Sequence, residues 1–228
     1  LKAIVLAAGR GERMRPLTDR TPKPLLPVAG KPLIGYHLES LARAGIRDVV
    51  INLSWLGDRI RVALGDGSQY GVRIAYSDEG PVALETGGGV FKALPLLGND
   101  AFLVISGDIW TDYPLANLQL APGDIAHFVL APNPNFHLQG DFGLSEGRVR
   151  DAVVPRYTYA NIGLFRPEFF AGSQAGRFAL APLMFNWIRQ GRVSGELYEG
   201  RWHNIGTQAQ LAELESLLSP YNAASCPS

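Results

Sequence analysis

Neither sign of charge is in excess. The 21 basic and 21 acidic residues balance over 228 positions, so no net field draws the chain to nucleic acid or to an anionic membrane, and neither is expected as a partner. Cysteine is almost missing. The lone Cys226 can close no internal disulfide, and the expectation is a reducing, cytoplasmic setting. No apolar run approaches the roughly 18 residues that a bilayer-spanning helix needs, and the first, Lys2 to Leu6, is broken by glycine too soon for a secretory signal. The histidines His37, His127, His137 and His203 share no metal-ligand spacing, and no Ser-His or Cys-His pattern announces a protein nucleophile. Repeats, low-complexity blocks and linkers are also missing. What remains is a chain long enough for one α/β domain with a sizeable core.

What the chain does have is a long loop, rich in glycine and cation, behind its first strand. Lys2 to Leu6 reads as a buried strand, and an amphipathic helical pattern begins near Ile34. Between them, Gly9 and Gly11 let backbone approach a ligand without a Cβ in the way. Arg10, Arg13, Arg15 and Lys23 set positive charge beside that approach, and successive backbone N–H groups make such a loop an anion-binding concavity. A polyphosphate is the expected guest. Two better-known phosphate motifs are excluded. The dinucleotide fingerprint fails because Met14 stands where its third glycine belongs, and no Gly-Lys-Ser/Thr run occurs.

Short β-type runs then alternate with helical patterns, the sign of a doubly wound parallel sheet. Ile34, Leu38 and Leu41 share a helical face that stops at Gly45; Asp48 to Asn52 reads as a strand, Leu56 to Leu64 as a helix and Val72 to Tyr76 as a strand. Thr86 and three glycines open the next helix. Ala101 to Ser106 is a buried strand with Gly107-Asp108 at its carboxyl end, where open α/β sheets place their ligands. In the second half, Ile125 to Leu130, Phe142 to Leu144, Val149 to Val153 and Tyr159 to Phe165 read as strands. Leu183, Trp187 and Ile188 mark a helix, and Arg201 to Thr207 a short strand. The last helix carries a capping box, Thr207 with Gln210, and an apolar face of Leu211, Leu214 and Leu218. Residues 1–219 form one domain on this reading, and 220–228 a disordered tail. The tryptophans Trp55, Trp110, Trp187 and Trp202 read as packing residues, with Trp110 held open for its place just past Asp108.

The opening loop resembles the signature of the sugar-1-phosphate nucleotidyltransferases, L-A-A-G-x-G-x-R-[ML]-x-P-L-T followed by P-K-P. Leu6, Ala7, Ala8, Gly9, Gly11, Arg13, Met14, Pro16, Leu17 and Thr18 stand in that order, then Pro22, Lys23 and Pro24. The resemblance implies a single-domain, Rossmann-like fold with a mixed, mostly parallel sheet flanked by helices. It implies an enzyme that joins a nucleoside triphosphate to a sugar 1-phosphate and releases pyrophosphate, with Mg²⁺ as cofactor. Carried over residue by residue, Arg15 meets the leaving pyrophosphate, Lys23 the reacting phosphates and Asp108 the metal. Ala8, Gly9, Gly11, Glu12 and Arg13, with Glu85, Thr86, Gly87 and Gly88, hold the nucleotide, while Ser106, Gly143 and Asn161 meet the sugar. One departure matters. The family's second metal ligand is the aspartate of W-x-D-x-G-T, whereas this chain has Trp202-His203-Asn204-Ile205-Gly206-Thr207. Asn204 keeps a carbonyl oxygen without charge, so weaker metal affinity is expected.

Within the family, the LETGGG and GDIWTDY segments are most similar to members that use UTP and N-acetylmuramate 1-phosphate in cell-wall recycling. The competing readings are GTP with mannose 1-phosphate, and a nucleotide-sugar-binding regulator whose catalysis was lost at Asn204. The expected assembly is a monomer or small homo-oligomer. A site that selects N-acetylmuramate 1-phosphate needs a cation or backbone donors near its lactyl carboxylate, and Arg156, Arg201 and His203 are the candidates among which the sequence does not choose.

Overall fold

A strand buried on both faces is apolar at nearly every position. β1 (Lys2–Leu6) is such a strand: Ala3, Ile4 and Val5 are all 0% exposed. The computed structural model describes residues 1–219, so the expected 220–228 tail lies outside the described residues. After β1 come α1 (Leu17–Arg20), the two-residue ribbon β2 (Pro27–Val28) and β3 (Lys31–Pro32), α2 (Leu33–Arg43), β4 (Asp48–Leu53), α3 (Gly57–Leu64), β5 (Arg73–Asp78), α4 (Glu85–Leu97) and β6 (Phe102–Ser106). The second half adds β7 (Ile109–Thr111), β8 (Ala126–Ala131), β9 (Phe142–Ser145), β10 (Arg148–Arg150), β11 (Arg156–Phe165), α5 (Ala181–Arg189), β12 (Val193–Leu197), β13 (Trp202–Asn204) and α6 (Gln208–Leu218). Among the described residues, no helix is long and apolar enough to cross a membrane.

The main sheet runs β5-β4-β1-β6-β11-β8-β12-β10-β9. β5, β4, β1 and β6 are parallel; β11 enters antiparallel beside β6, and β8 and β12 form a further parallel pair. Because successive strand residues face opposite ways, β1 feeds two cores. Ala3 and Val5 pack with Ile34, Leu38 and Leu41 of α2, while Ile4 packs with Val90 and Ala93 of α4 and the Phe102, Phe128 and Phe165 group. Each fully buried aliphatic side chain contributes about 1.5–3 kcal/mol. α2 ends as its sequence foretells: Gly45 takes a positive φ, and the Ile46 N–H returns to the Leu41 carbonyl at 2.9 Å.

The second half departs from the sequence reading at several places, among them β7, a strand that no run in the sequence announced. The strand expected over Val149 to Val153 stops at Arg150, and 151–155 form bends against β9, where a Cβ on Gly143 would collide with the Val153 carbonyl. β12 was not foreseen, since VSGEL has too few apolar residues to read as a central strand. β11 also bends. Its register on β8 shifts between Tyr159 and Ile162, with Asn161 at φ 59° inside the bulge. The bend lets Arg156 and Tyr157 pair with β9 while Ile162 to Phe165 pair with β6, so the circuit β11-β8-β12-β10-β9 closes on itself.

Candidate active site

At the carboxyl ends of β1, β4 and β6 lies a cleft of about 480 Å³. Its floor is fixed by backbone packing. The Gly107 N–H donates to the Leu6 carbonyl at 2.8 Å, and a Cβ on Gly107 would lie 2.6 Å from that oxygen, so the turn after β6 can press against the start of the loop. This turn presents Asp108. Its Oδ2 receives Lys23 Nζ at 3.0 Å and its Oδ1 the Ser106 hydroxyl at 2.7 Å. Burial opposes ionisation of Asp108, but the Lys23 ammonium and the Ser106 hydrogen bond outweigh it and hold the carboxyl below the usual range.

The opening loop folds over this floor. Gly11 sits at φ 68° and accepts the Thr18 hydroxyl at 2.8 Å, which pins the turn ahead of Lys23. Ala8, Gly9, Arg10, Gly11, Glu12, Arg13 and Lys23 all line the cleft, as do Glu85, Thr86 and Ser106 across it. Arg13 has no acidic partner among the described residues, so its charge is uncommitted. Arg10 is held with its guanidinium 3.5 Å from the Trp55 ring centre, so Trp55 serves the site as well as the packing. Arg15 lies elsewhere. It is outside the lining and bonded to Asp19 at 2.8 Å. Gly87 and Gly88 also face away: they pack beneath the 176–178 segment, where Gly88 donates to the Phe178 carbonyl at 3.0 Å.

Two polar lining residues escaped the sequence reading. Asn52, at the end of β4, accepts the Ala7 N–H at 2.6 Å and donates to Glu79 Oε1 at 2.7 Å; Glu79 Oε2 accepts the Leu84 N–H at 2.6 Å. This buried relay ties the opening loop to the first turn of α4, one wall of the cleft to the other. The only signal in the sequence was a polar residue closing each of two apolar strand runs.

A second cavity of about 500 Å³ adjoins the first, sharing Thr86. Asn161, aimed by the β11 bulge, and Asn204 both line it, and neither side-chain amide is hydrogen-bonded among the described residues. β13 pairs antiparallel with β7, setting Asn204 opposite Ile109, while the Ile205 N–H donates to the Asp108 carbonyl at 2.7 Å. Asp108 and Asn204 thus flank one short ribbon between the cavities. Alternation along β13 turns Trp202 and Asn204 into the second cavity and His203 to the other side, against Trp110 at 5.9 Å between ring centres. His203 and Trp110 are therefore outside both cavities. Gly143 is not in the lining either; its missing Cβ makes room for the Val153 carbonyl.

Comparisons with known proteins bear on family and fold. The nucleotidyl transferase family model matches residues 2–121. The chain is 52% identical over 226 residues to an N-acetylmuramate alpha-1-phosphate uridylyltransferase of Neisseria meningitidis, covering 95% of this chain and 98% of that one. It is 37% identical over 227 residues to a protein of the same name from Caulobacter vibrioides, covering 92% and 94%. A solved Bacillus anthracis structure described as a glucose-1-phosphate thymidylyltransferase superposes with a TM-score of 0.83 at 21% identity, covering 96% of this chain and 95% of that one, a likeness of fold. The chain belongs to the nucleotidyl transferase family and is a sugar-1-phosphate nucleotidyltransferase.

Proposed function

We propose that the enzyme joins UTP to N-acetylmuramate 1-phosphate, giving UDP-N-acetylmuramate and pyrophosphate. The observation that carries this reading is the pair of adjoining cavities, one holding Arg10, Arg13 and Lys23 and one lined by the uncommitted amides of Asn161 and Asn204, with Thr86 in both. The first suits a triphosphate and base, the second a sugar, and the relative that is 52% identical carries that activity in its name.

The chain's own groups do the positioning. Lys23 is held in the first cavity by Asp108, so its ammonium is in place for the phosphate at which bond exchange occurs. Arg13 and the N–H groups of the opening loop offer charge and donors to the remaining phosphates. Asn161 and Asn204 offer amide groups to sugar hydroxyls or phosphate. An in-line displacement at phosphorus by a sugar-phosphate oxygen needs orientation and charge neutralisation, and no protein nucleophile. The donor set fits Mg²⁺: Asp108 supplies one carboxylate and Asn204 an uncommitted amide oxygen, in keeping with an ion that binds through one or two carboxylates plus substrate phosphate. When bound, the ion would neutralise phosphate charge at the reacting centre.

The test is a panel of four nucleoside triphosphates against N-acetylmuramate, N-acetylglucosamine, glucose and mannose 1-phosphates, read by pyrophosphate release. UTP with N-acetylmuramate 1-phosphate should give the highest kcat/KM. A clear preference for GTP with mannose 1-phosphate would overturn the substrate pair.

A further inference from the structure

N-acetylmuramate differs from N-acetylglucosamine by a lactyl ether on O3, whose carboxylate is ionised near neutral pH. A site that prefers the first must offer that carboxylate something the second sugar does not use. Among the three basic side chains at issue, the structure separates them. Arg201 is committed, its Nε 2.8 Å from Asp112 Oδ2 and its guanidinium lying over Trp110, and it lines neither cavity. His203 stands on the far side of β13. Arg156 lines the second cavity.

Three features mark Arg156 as waiting for an anion. It has no acidic partner among the described residues, and it is the one Arg or Lys in the cavity lining. Its Nη1 makes no hydrogen bond among the described residues, while its Nε is buried without a partner. And its placement is firm. The Arg156 carbonyl accepts Asn133 Nδ2 at 2.9 Å, and its Nη2 donates to the Asp141 backbone carbonyl. The Asp141 carboxylate, in the same lining, is not paired with the guanidinium: it accepts the Tyr159 N–H at 2.8 Å and lies 3.0 Å from His137 Nε2. A guanidinium held by its backbone and one fork arm leaves Nη1 free to meet a carboxylate, a planar donor geometry that lysine lacks. Around it Phe136, Phe142, Tyr159 and Phe185 make the cavity wall apolar, which strengthens a charge-assisted contact made there.

We infer that Arg156 is the specificity-determining residue of this enzyme, binding the lactyl carboxylate of the sugar 1-phosphate in the second cavity. This rests on the substrate pair proposed above. The experiment measures kcat/KM with UTP for N-acetylmuramate 1-phosphate and N-acetylglucosamine 1-phosphate in the wild type, Arg156→Gln and Arg156→Lys, with thermal unfolding of each. The wild type should favour the muramate by more than about tenfold, and Arg156→Gln should bring the ratio to within about threefold of one, the muramate losing far more than the glucosamine. Arg156→Lys, which keeps charge without the fork, should fall between. If both substrates decline together in both variants, Arg156 only supports the 132–141 loop and the inference fails. If the ratio is unchanged, it fails as well. If the wild type itself does not prefer the muramate, the proposed substrate pair falls and the inference falls with it; a wild type that prefers it while the variants keep that preference sinks Arg156 alone.

Discussion

Replacing Asn52 by alanine should loosen the cleft and lower the stability of the whole domain. Asn52 is 3% exposed and Glu79 7%, and the relay from Ala7 through both to Leu84 uses every hydrogen-bonding atom between them. Truncation leaves the Ala7 N–H without an acceptor and Glu79 Oε1 without its donor. A buried group left unpaired costs about 1–3 kcal/mol, so the two together cost about 2–4 kcal/mol, the cleft admitting water on one side. For a domain of this size that corresponds to a fall in Tm on the order of 5–15 °C. Circular dichroism melting gives the first measurement, and KM for the nucleotide gives the second, since Ala7 and Ala8 begin the loop that faces it; KM should rise severalfold. Asn52→Asp refines the test. It keeps an acceptor for Ala7 but sets a second carboxylate against Glu79, raising the folded-state pKa of the pair above the unfolded values. Stability should then be intact in acid and decline as pH rises from about 4 through that raised value. A Tm within a degree of wild type for Asn52→Ala, at unchanged KM, would refute the argument that the relay joins the two walls.

Three further outcomes are expected. Lys23→Ala should lower kcat/KM on the order of 10²-fold or more with the fold retained, and a purified variant holding half the wild-type pyrophosphate release would exclude a phosphate role. Asn204→Asp should lower the Mg²⁺ concentration for half-maximal rate; superimposable titrations would mean that the side chain at 204 does not touch the ion. His37 is buried beneath the Asp108 turn with Nε2 2.8 Å from the Ile109 carbonyl, and burial pushes its pKa from 6.5 to about 4. Because the folded value is the lower one, stability is full above the unfolded pKa and is lost as pH falls from 6.5 towards 4, by about 2 kcal/mol at pH 5. His37→Gln should flatten that part of a urea-unfolding profile, and an unchanged slope would place the acid sensitivity elsewhere.

The sequence exposes the parallel half of the fold and the glycine-rich cationic loop because both are written locally. β1, β4 and β6 are apolar runs closed by polar or small residues, and Gly9, Gly11 and Lys23 sit in one continuous motif. It hides whatever depends on partners distant in the chain. Asn52 and Glu79 are 27 residues apart, and nothing in either neighbourhood says that they bond. β12 is a strand because β8 and β10 flank it. Arg156, Arg201 and His203 were equal as cations until β13's alternation and the Asp112 contact told them apart. Arg15 shows the same limit: its motif position fixes the loop but leaves the side chain free, and here it meets Asp19.

The closed strand circuit at one end of the sheet bears on how these molecules meet one another in a crowded solution. An open sheet offers two flanks to which a stranger's strand can add, and each is an invitation to aggregate. Here β9 returns to β11, so one flank is used up and β5 is left as the free one. That flank is guarded. Arg73 is paired with Asp48 at 2.8 Å, Asp78 with Arg61 at 3.4 Å, and the Tyr76 hydroxyl reaches the Gly65 carbonyl at 2.7 Å. Any edge-to-edge assembly has to displace this charged fringe, so the bulge that aims Asn161 into the site, by letting β11 turn back to β9, also keeps the sheet from growing sideways.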